Sequence, residues 1–306
     1  MRLQHLKEQA FALTFVIALS GGISTAVEEG TWTTDFAAAK AAAAKDGKDL
    51  LLDFTGSDWC GWCVKLKSEV FEQDAFKQAA PKNFVLVELD FPKQKKLPEK
   101  EAAQNEELQT KYAIQSFPSI VLLDSVGRRY ARTGYQKGGA EVYLKHLEEL
   151  RAQRVHRDEV LAKAEKASGV EKAKLLDQAL TPLHENGMLG DYGDLVKQVA
   201  EMDADNKAGL KKKWESEQRL DELMQTPGDT PHDEILAKVD AYIKNWKPSG
   251  EEKQKVFVMR GQVCDAKGDQ VGMLTAFKTA AEAAPDSELG RRLSEHLKQL
   301  EAGGEK

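Results

Sequence analysis

The first half of the chain alternates between short apolar runs and longer amphipathic segments, which is typical of strands that alternate with helices. Thr34 and Asp35 can cap a helix over the alanine-rich stretch 36–45, and 49–54 has the pattern of a buried strand. Further apolar runs predict strands at 84–90 and 119–123, and a hairpin turn at Val126-Gly127 leads to a fourth strand at 129–133. The polar segment 98–112 predicts an exposed helix, and a last amphipathic helix follows Gly138 and Gly139. This order predicts a mixed sheet with helices on its faces.

The second half of the chain, from about residue 154, lacks strand signals and is predicted to be helical almost throughout. Apolar residues recur at three- and four-residue spacing over 175–183 and 235–243, and Gly and Pro separate short helices, so we expect stacked helical hairpins. The stretch 259–285, with Gly268 at its turn and small residues beyond, resembles a tetratricopeptide repeat, and 191–206 resembles one more faintly.

Length and charge restrict the function classes. The chain has 306 residues, of which 41% are hydrophobic and 31% charged, so it is long enough for two domains. Its formal net charge of -6 lacks the basic excess that neutralises nucleic-acid phosphates. We therefore do not expect a nucleic-acid partner.

The N-terminus has the pattern of a secretory signal peptide. Arg2 and Lys7 precede the apolar run 10–19, and small residues at 24–26 favour cleavage after Ala26. An uncleaved anchor or a buried helix is the alternative. The favoured interpretation gives a signal peptide at 1–26, a first domain at 27–153, a helical domain at 154–302 and a tail at 303–306. It predicts a periplasmic or secreted protein that is not stably inserted in a membrane after cleavage.

The three cysteines cannot all pair within one chain. Cys60 and Cys63 are three residues apart, whereas Cys264 lies two hundred residues away on an apolar helical stripe. We therefore expect a local reactive pair and one cysteine that packs as a small apolar residue.

The segment 59–63, Trp-Cys-Gly-Trp-Cys, follows a predicted strand and opens a predicted helix, and Phe117-Pro118 lies downstream. In this combination the chain resembles the thioredoxin superfamily over about residues 31–151. The resemblance implies an α/β thioredoxin-like fold, which here precedes the all-α domain, and it implies thiol–disulfide exchange with client proteins and with a redox partner protein. No cofactor is implied.

The position of the pair at a helix start suits this chemistry, since the free N–H groups of the first turn stabilise a thiolate. We expect Cys60 to attack a client disulfide and Cys63, one turn on, to resolve the mixed disulfide. Gly61 allows close approach of the client, and Trp59 and Trp62 are candidate contacts. Trp62 is alternatively an ordinary surface aromatic residue.

Two further candidates come from the resemblance. It implies that the bond between Phe117 and Pro118 is cis and that both residues contact substrate; a trans proline that opens an edge strand is the alternative. It also implies that Asp53 is a buried acid that moves a proton to or from Cys63. The alternative for Asp53 is a cap of the following turn, and Glu88 stands where the family often has a lysine.

Three functions compete at this point. An exported thiol–disulfide oxidoreductase, with reduction or isomerisation favoured over oxidation, is the first. A docking module without turnover, built on the same scaffold and the helical hairpins, is the second. Metal binding through Cys60 and Cys63 is the third, and it lacks two further ligands at suitable spacing.

Overall fold

A computed structural model describes residues 30–227 and 230–303, apart from the side chains of residues 300–303. The predicted signal peptide and its cleavage after Ala26 lie outside the described residues. The chain divides into two compact units, Met1–Ala152 and Gln153–Lys306. No helix in the described part of the chain is both long enough and apolar enough to cross a bilayer.

The first unit is built on a five-stranded mixed sheet in the order β1-β3-β2-β4-β5. Its strands are β1 (Trp32–Thr33), β2 (Asp49–Thr55), β3 (Phe84–Asp90), β4 (Ser119–Leu123) and β5 (Arg129–Thr133). Strand β3 is parallel to β1 and β2, whereas β4 runs antiparallel to β2 and β5. The sheet confirms the predicted fold class. β1 was not predicted, because two residues are too few to show an alternating pattern.

Helices cover both faces of the sheet. They are α1 (Phe36–Asp46), α2 (Gly61–Leu66), which continues as a π-helical turn (Lys67–Phe71), α3 (Asp74–Ala79), which is followed by a 3-10 turn (Ala80–Lys82), and α4 (Glu99–Lys111). Asp35 caps α1 by accepting a hydrogen bond from the backbone N–H of Ala38, as the sequence predicted. The six residues of α3 were not predicted.

Alternate residues of β2 face two separate cores. Leu50, Leu52 and Phe54 belong to the core with the α1 residues Ala39 and Ala43. The residues between them point the other way, where Leu51 packs with Leu66 of α2 and Val70 of the π-helical turn. Asp53 therefore lies on the face that is covered by the helix of the cysteine pair.

Helix α5 (Gly139–Glu165) is longer than predicted. The charged run 151–159 lies inside this helix. Leu147 belongs to the core of the first unit and Ala164 to a core of the second, so apolar contacts lie on both sides of the run. Beyond its first residue, Gly139, the helix contains neither Gly nor Pro, and charged residues alone do not end it.

The second unit is all-helical. It contains α6 (Gly169–Glu185), a 3-10 turn (Leu189–Tyr192), α7 (Gly193–Met202), α8 (Leu210–Met224), α9 (His232–Trp246), α10 (Gly250–Ala266), α11 (Gln270–Ala283) and α12 (Glu288–Gly303). The predicted apolar stripes are the buried faces of α6 and α9. Cys264 is buried and unpaired, as expected.

The hairpin of α10 and α11 is the unit that resembles a tetratricopeptide repeat. Gly268 takes a left-handed conformation in the turn, and Ala276 and Ala280 are buried. A Cβ atom on Gly261 would lie 2.4 Å from the ring of Phe277, so a close approach of the two helices requires glycine there.

His184 of α6 faces two carboxylates of α8. Its ring is largely buried, and its Nε2 lies 3.3 Å from a carboxylate oxygen of Glu217 and 3.8 Å from one of Asp221. The carboxylates of Asp221 and Glu217 raise the pKa of His184. This ion pair links α6 to α8. It could not be predicted from the sequence, because its partners are more than 30 residues apart.

Candidate active site

Cys60 and Cys63 form a disulfide at the start of α2, with their Cα atoms 5.2 Å apart. Cys60 is the N-cap residue, and its sulfur accepts a hydrogen bond of 3.2 Å from the backbone N–H of Cys63. The pair lies here because β2 ends at Thr55 and a tight turn connects the strand to α2. One free N–H group of the first turn is thus directed at the sulfur of Cys60.

Both cysteines are buried in the disulfide form, with 6% of Cys60 and 3% of Cys63 exposed. The two cysteines therefore differ little in exposure. The two cysteines differ in hydrogen bonding, because the backbone N–H of Cys63 donates to the sulfur of Cys60. A thiolate on Cys60 would keep this donor, which favours Cys60 as the nucleophile.

Trp59 connects the cysteine pair to the loop after β3. Its indole N–H donates a 2.7 Å hydrogen bond to the carbonyl oxygen of Phe91, and its ring meets Phe117 edge-on with centroids 5.7 Å apart. Gly56 makes room for the ring, since a Cβ atom there would lie 2.5 Å from it. The bond between Phe117 and Pro118 is cis, as predicted. Phe117 therefore contacts Trp59, the residue directly before Cys60.

Trp62 is 58% exposed, the higher of the two tryptophans beside the disulfide. Its ring contacts Tyr135 with centroids 5.2 Å apart, and the Lys65 ammonium lies 5.2 Å from both ring centroids. Gly61 between the cysteines is exposed, and a Cβ atom on it would meet nothing within 4 Å. The surface around the disulfide is therefore open, aromatic and flanked by cations.

Asp53 lies beside Glu88 in the register of β2 and β3. It is 5% exposed, and its Oδ1 atom has no hydrogen-bond partner in the described part of the chain, so Asp53 does not cap the turn after β2 through that oxygen. Burial and then the charge of Glu88 raise the pKa of Asp53 to about 8, against the opposing charge of Lys67. At neutral pH Asp53 is therefore protonated and able to donate a proton.

Lys67 is a site residue that sequence reasoning missed. Its Nζ atom lies 3.5 Å from Oε2 of Glu88. The family resemblance directed attention to β3, where Glu88 replaces the usual lysine. The cation comes instead from Lys67, one helical turn after Cys63, and its four-residue spacing from that cysteine was the available signal.

Asp58, in the turn before Cys60, binds the loop after β3. Its carboxylate accepts backbone hydrogen bonds from Lys93, Gln94 and Lys95, at 2.9, 2.8 and 3.3 Å. These bonds, the one from Lys93 foremost, lower the pKa of Asp58. Asp58 thus fixes the loop after β3 beside the cysteine pair.

Comparison with known proteins agrees with this architecture. Residues 36–151 match a protein family described as a thioredoxin-like domain. These residues are a thioredoxin-like domain. It contains the cysteine pair, the cis-proline and Asp53, and the helical region follows it.

Two proteins of Chlamydia pneumoniae are similar to this thioredoxin-like domain. The disulfide bond reductase DsbH is 37% identical over 109 residues, which are 36% of this chain and 66% of DsbH. The thioredoxin-related protein DsbJ is 31% identical over 134 residues, 42% of this chain and 38% of DsbJ. A solved structure described as DsbH oxidoreductase is 32% identical, with a TM-score of 0.38, over 43% of this chain and 91% of that one. The chain thus spans less than two thirds of the length of either curated relative.

The arrangement of the thioredoxin-like domain supports two-electron exchange between dithiol and disulfide. Cys60, Cys63 and the protonated Asp53 lie in this one domain, with the cysteine pair at the start of α2 and Asp53 in β2. Among the described residues no group of three or more His, Cys, Asp and Glu side chains is placed to hold a metal ion.

Proposed function

We propose that this protein is an exported thiol–disulfide oxidoreductase that reduces or rearranges disulfides in client proteins. The observation that carries the proposal is the Cys60–Cys63 disulfide at the start of α2, with the N–H of Cys63 donating to the sulfur of Cys60. The similarity to a disulfide bond reductase favours the reducing direction.

The proposed reaction has two steps. The Cys60 thiolate attacks one sulfur of the client disulfide, forms a mixed disulfide and releases the other client sulfur as a thiolate. The Cys63 thiolate then attacks the sulfur of Cys60, which closes the Cys60–Cys63 disulfide and releases the second client sulfur. In this direction the carboxylate form of Asp53, which is in equilibrium with the protonated form at neutral pH, takes up the proton of Cys63, and protonated Asp53 returns it when the redox partner reduces the pair. Two electrons pass to the client, and a dithiol redox partner restores the reduced pair.

Trp59, Gly61, Trp62, Phe117 and Pro118 are proposed to contact the client beside the disulfide. The exposed tryptophan rings and the exposed Gly61 support this assignment. The helical region, with its repeat-like hairpin of α10 and α11, is proposed to bind clients or the redox partner, since stacked hairpins present a protein-binding surface.

The test of this function is reduction of a peptide disulfide by the pre-reduced full-length protein. We expect Cys60→Ser to abolish turnover and Cys63→Ser to accumulate the mixed disulfide, which mass spectrometry detects. Equal turnover by the wild type and Cys60→Ser would refute the enzyme, and no turnover by either would favour the docking module. Equilibration with glutathione then determines the direction. N-terminal sequencing of the protein made in its own cells, with Val27 as the expected first residue, tests export.

A further inference from the structure

The loop between β3 and α4, residues 92–98, is rich in lysine and lies beside the disulfide. We call it the lysine loop; it carries Lys93, Lys95 and Lys96, all three exposed. The chain as a whole has a formal net charge of -6. The loop thus carries three ammonium groups in a chain that is acidic as a whole.

The lysine loop is fixed to the residues that precede Cys60. The Asp58 carboxylate accepts its backbone N–H groups, and Nζ of Lys95 lies 2.8 Å from Oδ2 of Asp90. Asp90 in turn accepts hydrogen bonds of 2.9 and 2.7 Å from the backbone N–H and the hydroxyl of Ser57. The position of the loop relative to the cysteine pair is thus set by bonds to the turn between β2 and α2.

Asp58 accepts backbone donors, which occupy its oxygens but do not cancel its charge, and Asp90 pairs with Lys95. The other two lysines of the loop, Lys93 and Lys96, form no ion pair with any described residue. The Lys93 ammonium lies 4.0 Å from the centroid of the Trp59 ring, next to Cys60. On the other side of the disulfide, Lys65 lies against Trp62 and Tyr135, although Glu69 is 3.8 Å from it.

We propose that the lysine loop is a specificity element that selects clients with carboxylate side chains close to the reactive disulfide. This inference rests on the proposed function and names its substrate class. The occupant is an extended acidic segment of the client, because a ligand of Lys93 must lie beside Trp59 and hence beside the disulfide that reacts with Cys60. Complementary charges at such a position accelerate encounter and orient the partner.

The test uses the reduced full-length protein and two synthetic peptides with the same intramolecular disulfide, one flanked by Glu and the other by Gln. The second-order rate constant of each peptide is divided by its rate constant with dithiothreitol, which removes differences in intrinsic thiol reactivity. We expect the Glu peptide to be preferred about fivefold at an ionic strength of about 0.01 M, and the preference to disappear at about 0.5 M.

Matched variants locate the effect. The double variant Lys93→Gln, Lys96→Gln should reduce the preference to about one, and Lys93→Arg, Lys96→Arg should retain it. Lys45→Gln, Lys82→Gln removes the same charge from the opposite ends of β2 and β3 and should leave the preference unchanged. Because the preference is a ratio, a change in the reactivity of Cys60 that affects both peptides equally cancels.

The outcomes separate this inference from the proposed function. Equal rates for both peptides with the wild type, or an equal loss of preference in the two Gln double variants, would overturn the role of the lysine loop while leaving the enzyme intact. Failure of the wild type to reduce either peptide would refute the proposed function itself.

Discussion

Two aspartates on the same strand show how the surroundings of a carboxylate decide its role. Asp49 and Asp53 are both buried on one face of β2. Oδ2 of Asp49 accepts hydrogen bonds of 3.0 Å from Arg151 Nε and 3.1 Å from the Tyr130 hydroxyl. Asp53 has Glu88 as its neighbour instead. Asp49 therefore joins α5 to the sheet. Asp53 keeps its proton, because a negative charge at this buried position beside Glu88 would destabilise the folded protein.

Asp53→Asn should remove a pH dependence of stability. The Asp53 carboxyl keeps its proton to about pH 8 in the folded state, whereas an unfolded aspartate loses it near pH 4. The folded state binds more protons between these values, so the free energy of unfolding falls as the pH rises from about 4 to about 8. The variant should abolish this slope and raise stability at pH 8 by a few kcal/mol, measured by denaturant unfolding.

The control for that experiment is Asp46→Asn, which removes an exposed carboxylate from the end of α1. It should retain the slope between pH 4 and pH 8. An unchanged slope in Asp53→Asn would mean that Asp53 is ionised in the folded protein, and proton transfer from it to Cys63 at neutral pH would then be excluded.

Glu88→Gln and Lys67→Gln should shift the Asp53 titration in opposite directions. Loss of the neighbouring negative charge lowers the pKa of Asp53, and loss of the ammonium raises it. We expect changes on the order of one pH unit, read from the carboxyl carbon of Asp53 by NMR in the oxidised protein. Shifts of the same sign in both variants would show that repacking, not charge, sets the pKa.

At the scale of elements, the sequence predicts best what local patterns determine. Strands β3, β4 and β5 have the predicted bounds, because β3 and β4 are apolar runs and β5 follows a tight hairpin turn at Val126-Gly127. The short elements β1 and α3 carry too few residues for a period. Helix α5 extends through the charged run 151–159, with apolar contacts on both sides of that run, and its length depends on those contacts rather than on a local pattern.

Gly261→Ala should destabilise the hairpin of α10 and α11. The added methyl group would meet the Phe277 ring at 2.4 Å, and overpacking of this kind costs about 1–3 kcal/mol. Alanine gains about 1 kcal/mol over glycine in a helix interior, which offsets part of the cost. Hydrogen exchange of α10 and α11 in the full chain should therefore be faster. Adding Phe277→Leu should restore protection; if it does not, the close approach is not the cause.

For the whole molecule, the resemblance and the motif located the chemistry but not its surroundings. Cys60, Cys63 and Pro118 could be found because they are adjacent in sequence or belong to a known pattern. Tyr135 and the lysine loop could not, because their relation to the disulfide depends on contacts between segments that are far apart in sequence, such as those of Asp58 with Lys93 and of Trp62 with Tyr135. Lys67 was missed although it lies four residues after Cys63.

The second unit should contribute recognition and no chemistry. Every residue proposed for the exchange reaction lies between Asp53 and Pro118, within the first unit. A truncation after Ala152 keeps Leu147 and Leu150, the last α5 residues that pack in the core of the first unit, and Arg151, which pairs with Asp49. A cut after Glu165 would instead leave Leu161 and Ala164 without their own core.

The truncated protein should therefore reduce a short peptide disulfide at a rate within about twofold of the full chain, since the groups that stabilise the Cys60 thiolate are all retained. Circular dichroism establishes that the truncated unit is folded, and the pH dependence of Cys60 alkylation establishes that its thiolate is intact. If both controls succeed and peptide reduction is nevertheless lost, the helices supply part of the active site. If the full chain reduces disulfides faster than the truncated form only in large protein substrates, the second unit contributes to substrate recognition.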